Sequence, residues 1–328
     1  MNLLTVESAA QFLLSGEVVA IPTETVYGLA ADASNDSSVN RVFSVKGRPL
    51  SHPLIIHVHS FEDIFHWAFI DHSYVESLCR AYWPGPLTIV LRKSKSVLSS
   101  VVAGRDTVAI RVPRHSLTTS LLDRLKEREC FGVVAPSANL FGRVSATLPS
   151  HVFDDFGCSI AGILDGGYCS YGVESTIVDC SGSMPRILRK GHISADAMEM
   201  VCGLQPESSP VAKYEAPGTL SSHYAPSVPL FLVDMDDFYD LLDDLRKRGP
   251  VGVLARTAFM PQDLTDIYWT RMPDLAVPYG CRLYERLRFF EKLVSAIVVE
   301  MPPSDISWCH IIDRLTKAAC GSNKYPKT

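Results

Sequence analysis

Apolar positions along the chain recur in two periods. Val6, Ala9, Ala10, Leu13 and Leu14 fall on one side of a helical wheel, and Gly16 stops that helix. Apolar runs of strand length follow at Glu17–Pro22, Pro53–His59, Leu87–Leu91, Val108–Val112 and Gly132–Pro136. Ile163–Asp165, Ser175–Asp179 and Pro185–Arg189 complete the first set of strands. Val39–Lys46 and Leu148–Phe156 read as helices, and Trp83-Pro84-Gly85-Pro86 as a turn. Thr23-Glu24-Thr25 reads as a polar turn leading into a small-residue stretch that ends at Ala33. Several successive strands have no helix between them, which predicts an α/β domain on a mixed sheet.

The pattern changes near residue 205. Residues 205–229 carry five prolines among Ser and Gly, a linker composition. Beyond it, strands at Leu230–Val233, Val251–Ala255 and Ser295–Glu300 alternate with helices at Asp236–Arg248, Leu283–Val294 and Ile311–Ala319. That alternation predicts a smaller Rossmann-like three-layer α/β unit. The expected organisation is a first domain over 1–204, a Pro-rich linker over 205–229 and a second domain over 230–328.

The composition of the 328 residues, 47% hydrophobic and 20% charged, is that of a globular chain and excludes dominant disorder. Residues 1–200 hold 17 basic and 20 acidic side chains, and residues 201–328 hold 14 and 16. Neither part is basic, which argues against coating nucleic acid through bulk charge. The nine cysteines include no CxxC pair, which fits free thiols in a reducing, cytoplasmic setting. The amino terminus lacks the basic segment of a secretory signal, and no apolar run is long enough to span a membrane.

Polar residues gather just beyond strand ends, where α/β proteins build sites. Thr23–Thr25 is either a capped turn or the wall of a small-substrate site. Lys46 and Arg48 flank Gly47, and the two cations suit either a polyphosphate or a solvated helix end. Arg111 stands inside an apolar strand, so it needs an ion pair or a bound anion. Ser137 and Asn139, with Gly142 to Ser145 after them, can donate to phosphate or carboxylate oxygens or form an ordinary Asx turn. Glu174, Ser175 and Thr176, with Arg189 and Lys190, add hydroxyls and cations at strand ends. Of His57 and His59 in the same strand-like run, only one is expected to face a site. The chain has no GxxxxGK[ST], GxGxxG, HExxH or GxSxG, and no Cys/His metal spacing.

Taken in order, PTETVYGLAADA, KGRPLSHPLIIHV, WPGPLTIVL, VAIRVPRH, APSANLFGRVSAT, GVESTIVD and ILRKG closely resemble the YrdC family over about residues 5–200. The segment APGTLSSHYAP at 216–226 resembles the hallmark of the family's long, two-domain form, with weaker support from Asp313-Arg314-Leu315. The residues before that last motif depart from the family's usual glycine-rich stretch. The resemblance implies a YrdC-like twisted mixed sheet and a nucleotidyltransferase. The implied reaction makes L-threonylcarbamoyl-AMP from L-threonine, bicarbonate and ATP and releases pyrophosphate. It serves the threonylcarbamoyladenosine modification of tRNA, completed by other proteins that transfer the carbamoyl group.

By the same resemblance, Lys46, Arg48, Ser137, Asn139 and Arg189 match ATP-contacting positions, the first four being the expected catalytic set. His52, Thr107 and Ser145 join the ATP set. Thr25, His57, Arg111, Ser175 and the backbone of Ala135 match the positions that hold threonine. Tyr224 matches a residue that closes over the nucleotide, with the linker expected to act as a lid. Mg²⁺ is expected with the ATP phosphates rather than in a protein cage. Two other activities compete. One is RNA binding through a patch of Lys46, Arg48, Arg111, Arg143 and Arg189. The other is carbamoyl transfer from carbamoyl phosphate, whose relatives carry additional segments for which this chain has no room.

Overall fold

The computed structural model describes residues 1–208, 223–261 and 266–320. Contacts divide them into two units. The first holds Met1–Phe141, Ala146–Ser170 and the chain from Glu174 to 208. The second holds Gly142–Ser145, Tyr171–Val173 and the described residues from 223 onward.

The first unit is built on a twelve-stranded mixed sheet. Its strands are β1 (Leu3–Leu4), β2 (Val19–Ile21), β3 (Gly28–Asp32), β4 (Ile55–His57), β5 (Ala68–Phe69) and β6 (Leu87–Lys93). They continue as β7 (Thr107–Arg111), β8 (Val133–Val134), β9 (Gly162–Leu164), β10 (Thr176–Asp179), β11 (Arg186–Arg189) and β12 (Glu207–Ser208). The order is β1-β9-β2-β3-β8-β4-β7-β6-β10-β11-β12, with β5 beside β6. Parallel and antiparallel pairs are mixed, as the missing crossover helices predicted.

The small-residue stretch before Ala33 forms a strand. Gly28–Asp32 is a central strand between β2 and β8. Its side chains are small because space is short: a Cβ on Gly28 would sit 3.0 Å from the Ala135 Cβ. Helices at Ser73–Tyr82, Ser116–Lys126 and Ala195–Cys202 also lie outside the predicted set. The main core is packed from Leu29, Val42, Ile56, Trp67, Leu78, Ile89, Ile110 and Val178, all buried.

The second unit has a four-stranded, fully parallel sheet of β13 (Leu230–Val233), β14 (Val251–Ala255), β15 (Ile267–Arg271) and β16 (Ala296–Glu300), in the order β13-β16-β14-β15. The predicted Rossmann-like alternation is present, with one strand more than expected. β15 escaped notice because only Ile267 in it is buried. The helix expected from Leu283 starts earlier, as Ala276–Phe290. Pro278 falls in its first turn, where a missing N–H costs nothing. The closing helix is Cys309–Cys320.

At the carboxyl end of β16, Glu300 accepts backbone N–H bonds from Arg256 (2.6 Å), Thr257 (2.7 Å) and Ala258 (3.0 Å), just after β14. Burial alone would raise its pKa. The Thr257 hydroxyl and those amides outweigh burial and hold it below the usual value.

Candidate functional site

Strand alternation sorts each strand's residues between two faces, and register aligns the faces across strands. Ile56, Ile110, Ile89 and Val178 face the main core. The residues between them share the opposite face. On β4 and β7, Ile55 pairs with Ala109 and His57 with Arg111. On β6, Val90 pairs with Ala109. On β10, Ile177 pairs with Thr88 of β6 and with Arg189 of β11. Ile55, Ala109 and Ile177 form a separate small apolar cluster, with Val90 and Leu188 packed against it. His57, Arg111, Thr88, Ser175 and Arg189 border that floor.

Arg111 is 4% exposed and ion-paired to Glu24 at 2.8 Å. Its Nε donates to the Gly85 carbonyl at 3.2 Å, which ties in the Trp83–Pro86 turn. The other Glu24 oxygen accepts the Arg114 N–H at 3.0 Å. The buried charge expected from the sequence therefore finds its partner in the polar turn. Beside Glu24, the Thr23 and Thr25 hydroxyls lie 2.9 Å apart, and Thr23 donates to Val26 O at 2.6 Å. His57 is 3% exposed, and its Nδ1 lies 3.3 Å from Ile55 O. Burial, reinforced by the charge of Arg111, pushes its pKa down to about 3, so the ring is neutral at physiological pH. His59 lies beyond the strand, 3.8 Å from Asp123; residues two apart on a strand share a face, so the end of β4 at His57, and not alternation, separates the two histidines.

On the other flank, the Ser175 and Thr88 hydroxyls are 2.7 Å apart. Arg189 donates to the Ser175 carbonyl and hydroxyl, both at 3.0 Å. Gly191 allows this: a Cβ there would meet Thr176 N at 2.3 Å. Thr88 was missed as a site residue. Its one sequence signal is a lone hydroxyl inside the apolar run Leu87–Leu91.

Lys46 joins two motifs that lie far apart in sequence. It ends the helix Asp36–Lys46 but is only 2% exposed. Its Nζ donates to the carbonyls of Ser137 and Asn139, the latter at 2.6 Å. The Lys46 carbonyl accepts Phe141 N–H at 2.9 Å. Arg48 is 8% exposed and donates to Pro53 O at 3.1 Å. His52 packs edge-on against Phe141 with centroids 5.4 Å apart. Ala135 N–H bonds Ile55 O at 3.1 Å, beside the apolar floor.

Three expected residues remain. Thr107 begins β7, four residues before Arg111 on the same face, about 13 Å along the strand. Ser145 belongs to the second unit. So does Tyr224, which is 1% exposed, with its ring against His223 (4.1 Å), Tyr284 (6.0 Å) and the Arg314 guanidinium (5.1 Å). Arg314 pairs with Asp313, so the Asp-Arg-Leu motif supports the ring of Tyr224. Linker residues 209–222, and with them the expected lid, lie outside the described residues.

A sheet face with an apolar floor, a buried arginine–glutamate pair at one edge and further cations and hydroxyls at neighbouring strand ends is suited to a small polar ligand, as in α/β enzymes. A family profile described as Telomere recombination, covering the Sua5, YciO and YrdC proteins, matches residues 11–191. One described as the threonylcarbamoyl-AMP synthase C-terminal domain matches residues 193–320. The chain belongs to this Sua5/YrdC family, in its two-domain form. Threonylcarbamoyl-AMP synthase of Pyrococcus abyssi is 36% identical to it, covering 95% of this chain and 93% of the relative. The synthase of Bacillus subtilis is 36% identical over 96% and 93%. The crystal structure of P. abyssi Sua5 complexed with L-threonine superposes with a TM-score of 0.87 at 33% identity, covering 97% of this chain and 94% of the other. Among the described residues no helix is long and apolar enough to cross a membrane.

Proposed function

We propose that this chain synthesises L-threonylcarbamoyl-AMP from L-threonine, bicarbonate and ATP, for threonylcarbamoyladenosine in tRNA. The observation that carries the reading is the common face of β4, β7, β6, β10 and β11, together with full-length similarity to synthases. Arg111, paired with Glu24, meets the threonine carboxylate through its remaining N–H donors. Thr25, Ser175 and the backbone of Ala135 supply polar contacts around it. Neutral His57 accepts or donates a hydrogen bond without adding charge. The floor of Ile55, Ala109 and Ile177 seats the threonine methyl group.

The threonine amine attacks the bicarbonate carbon, forming N–C with loss of water to give the carbamate. A carbamate oxygen then attacks the α-phosphorus of ATP, the bond to the bridging β-oxygen breaks, and pyrophosphate leaves. Lys46, Arg48, Ser137, Asn139 and Arg189, with His52 and Thr107 in support, hold the nucleotide and its developing charge. Mg²⁺ enters as part of the MgATP substrate. Among the described residues no three His, Cys, Asp or Glu side chains converge as a metal cage, and ATP oxygens with water suit the ion. We place the protein in the cytoplasm, where soluble transferases consume the product.

Pyrophosphate release from ATP tests this. Release that requires both L-threonine and bicarbonate, and is abolished by Arg48→Ala, is the expected result. Threonine-independent release, or none, overturns the reading and leaves RNA binding, read by a salt titration of tRNA affinity.

A further inference from the structure

The helix Met235–Arg246 of the second unit has two unlike faces. Phe238, Leu242 and Leu245 are buried in the core against the parallel sheet. The other face carries Met235 and Tyr239, 41% and 40% exposed, among exposed aspartates. Residues 234–244 hold six Asp and no Lys or Arg. Asp243 and Asp244 pair with Arg246 and Lys247 at the helix end. Among the described residues, Asp234, Asp236, Asp237 and Asp240 have no ion-pair partner. Asp236 and Asp237 lie in the first turn, where the helix dipole favours acids. Asp240 gains less from it and stands four residues from both Asp236 and Asp244, a spacing at which like charges weaken a helix.

The loop after β14 brings two large apolar side chains to the edge of that face. Each backbone N–H from Arg256 to Phe259 is bonded: Glu300 accepts the first three, and the Tyr239 hydroxyl accepts Phe259 N–H at 3.0 Å. The same hydroxyl donates to Phe259 O at 3.1 Å, and Arg271 donates to Ala258 O at 3.4 Å. Phe259 is nonetheless 81% exposed and Met260 49%. A ring held outward by a bonded backbone is pre-organised, so a partner meets little further ordering cost. With Tyr239 and Met260 it forms an apolar patch in an acidic rim, which is how protein interfaces are built. We propose that this helix face and Phe259–Met260 dock a second protein through a basic segment with an apolar centre. Its apolar side chains pack on Phe259, Met260 and Tyr239, and its Lys or Arg side chains meet Asp236, Asp240 and Asp243. The rim selects the occupant. It repels the phosphates of RNA or anionic lipid, and a two-fold contact between copies of this chain would set aspartate against aspartate. The surface lies outside the residues assigned to the reaction.

The probe is a short fluorescent helical peptide of leucine and lysine, with a leucine–glutamate version of the same length, titrated with the full chain by anisotropy. Wild type is expected to bind the lysine peptide, more weakly as salt rises, and to leave the glutamate peptide free. Phe259→Ser combined with Met260→Ser should weaken binding about tenfold. Asp236→Asn combined with Asp240→Asn should weaken it and flatten its salt dependence. Met200→Ser, at an 82% exposed methionine of the first unit, should bind as wild type does. Threonine-dependent pyrophosphate release should stay within about twofold of wild type in every variant. No binding of the lysine peptide, equal binding by wild type and the paired serine variant, or binding of the glutamate peptide or of tRNA that this variant loses, overturns the proposal. Self-association in sedimentation that the same substitutions abolish also overturns it, in favour of a second copy of this chain. If the paired serine variant does not fold, Met260→Ser alone decides by the same criterion.

Discussion

Arg111 and Glu24 are each almost fully covered, with side chains 5% and 2% exposed. A buried pair owes its worth to completeness: removing one partner leaves the other charged and desolvated, at a cost of about 3–5 kcal/mol. Glu24→Ala should therefore lower unfolding free energy by about that amount in urea titrations. A loss below about 1 kcal/mol would show that water reaches Arg111. His57 adds a pH dependence of definite sign. Its folded pKa, about 3, lies below the unfolded value of 6.5, so the unfolded chain takes up the proton first. Its contribution is fully present above pH 6.5 and is lost as pH falls toward 3. His57→Gln should flatten the decline of the urea midpoint between about pH 6.5 and 4.5 relative to wild type. Parallel curves would mean that His57 is solvated in the native state.

At the scale of elements, the strand pair β10–β11 carries Ser175 and Arg189 to one edge of the floor, and the close approach at Gly191 sets their spacing. Gly191→Ala forces its Cβ against the Thr176 backbone and should cost about 1–3 kcal/mol. KM for both substrates should rise, and wild-type kinetics in a folded variant would show that the edge tolerates the shift. These elements also show what the sequence made legible. Apolar runs revealed β2, β4, β6, β7 and β8 because both of their faces are buried. β3 was hidden because its residues are small to fit, not large to fill. Arg111 announced itself as a lone charge in an apolar strand, yet its partner Glu24 lay 87 residues earlier in a turn that could equally have been a cap. Lys46 read as a solvated helix end. Its burial depends on the carbonyls of Ser137 and Asn139, a contact that no local pattern encodes.

Across the whole molecule, the nine cysteines are all free thiols. Cys158 and Cys320 are exposed, whereas Cys79, Cys130, Cys169 and Cys180 are buried. Burial pushes the Cys130 thiol up to about 12, and Cys79 and Cys180 are raised as well, so none of these forms thiolate at neutral pH. A colorimetric thiol titration of the native protein should give two fast equivalents, with the full count appearing only in denaturant. Fast reaction of a buried thiol would mean that the first unit opens locally on the timescale of the assay.

Glu300 has a consequence for this chain's life among nucleotides. The carboxyl end of a parallel sheet, with amides converging after a strand, is where α/β proteins ordinarily capture phosphate. Here the amides of Arg256, Thr257 and Ala258 are already satisfied by a carboxylate of the same chain. A tethered ligand of this kind competes at an effective concentration of millimolar order or higher, whatever the solution holds. The second unit thus carries the strand end and converging amides of a phosphate cradle, already filled by its own carboxylate.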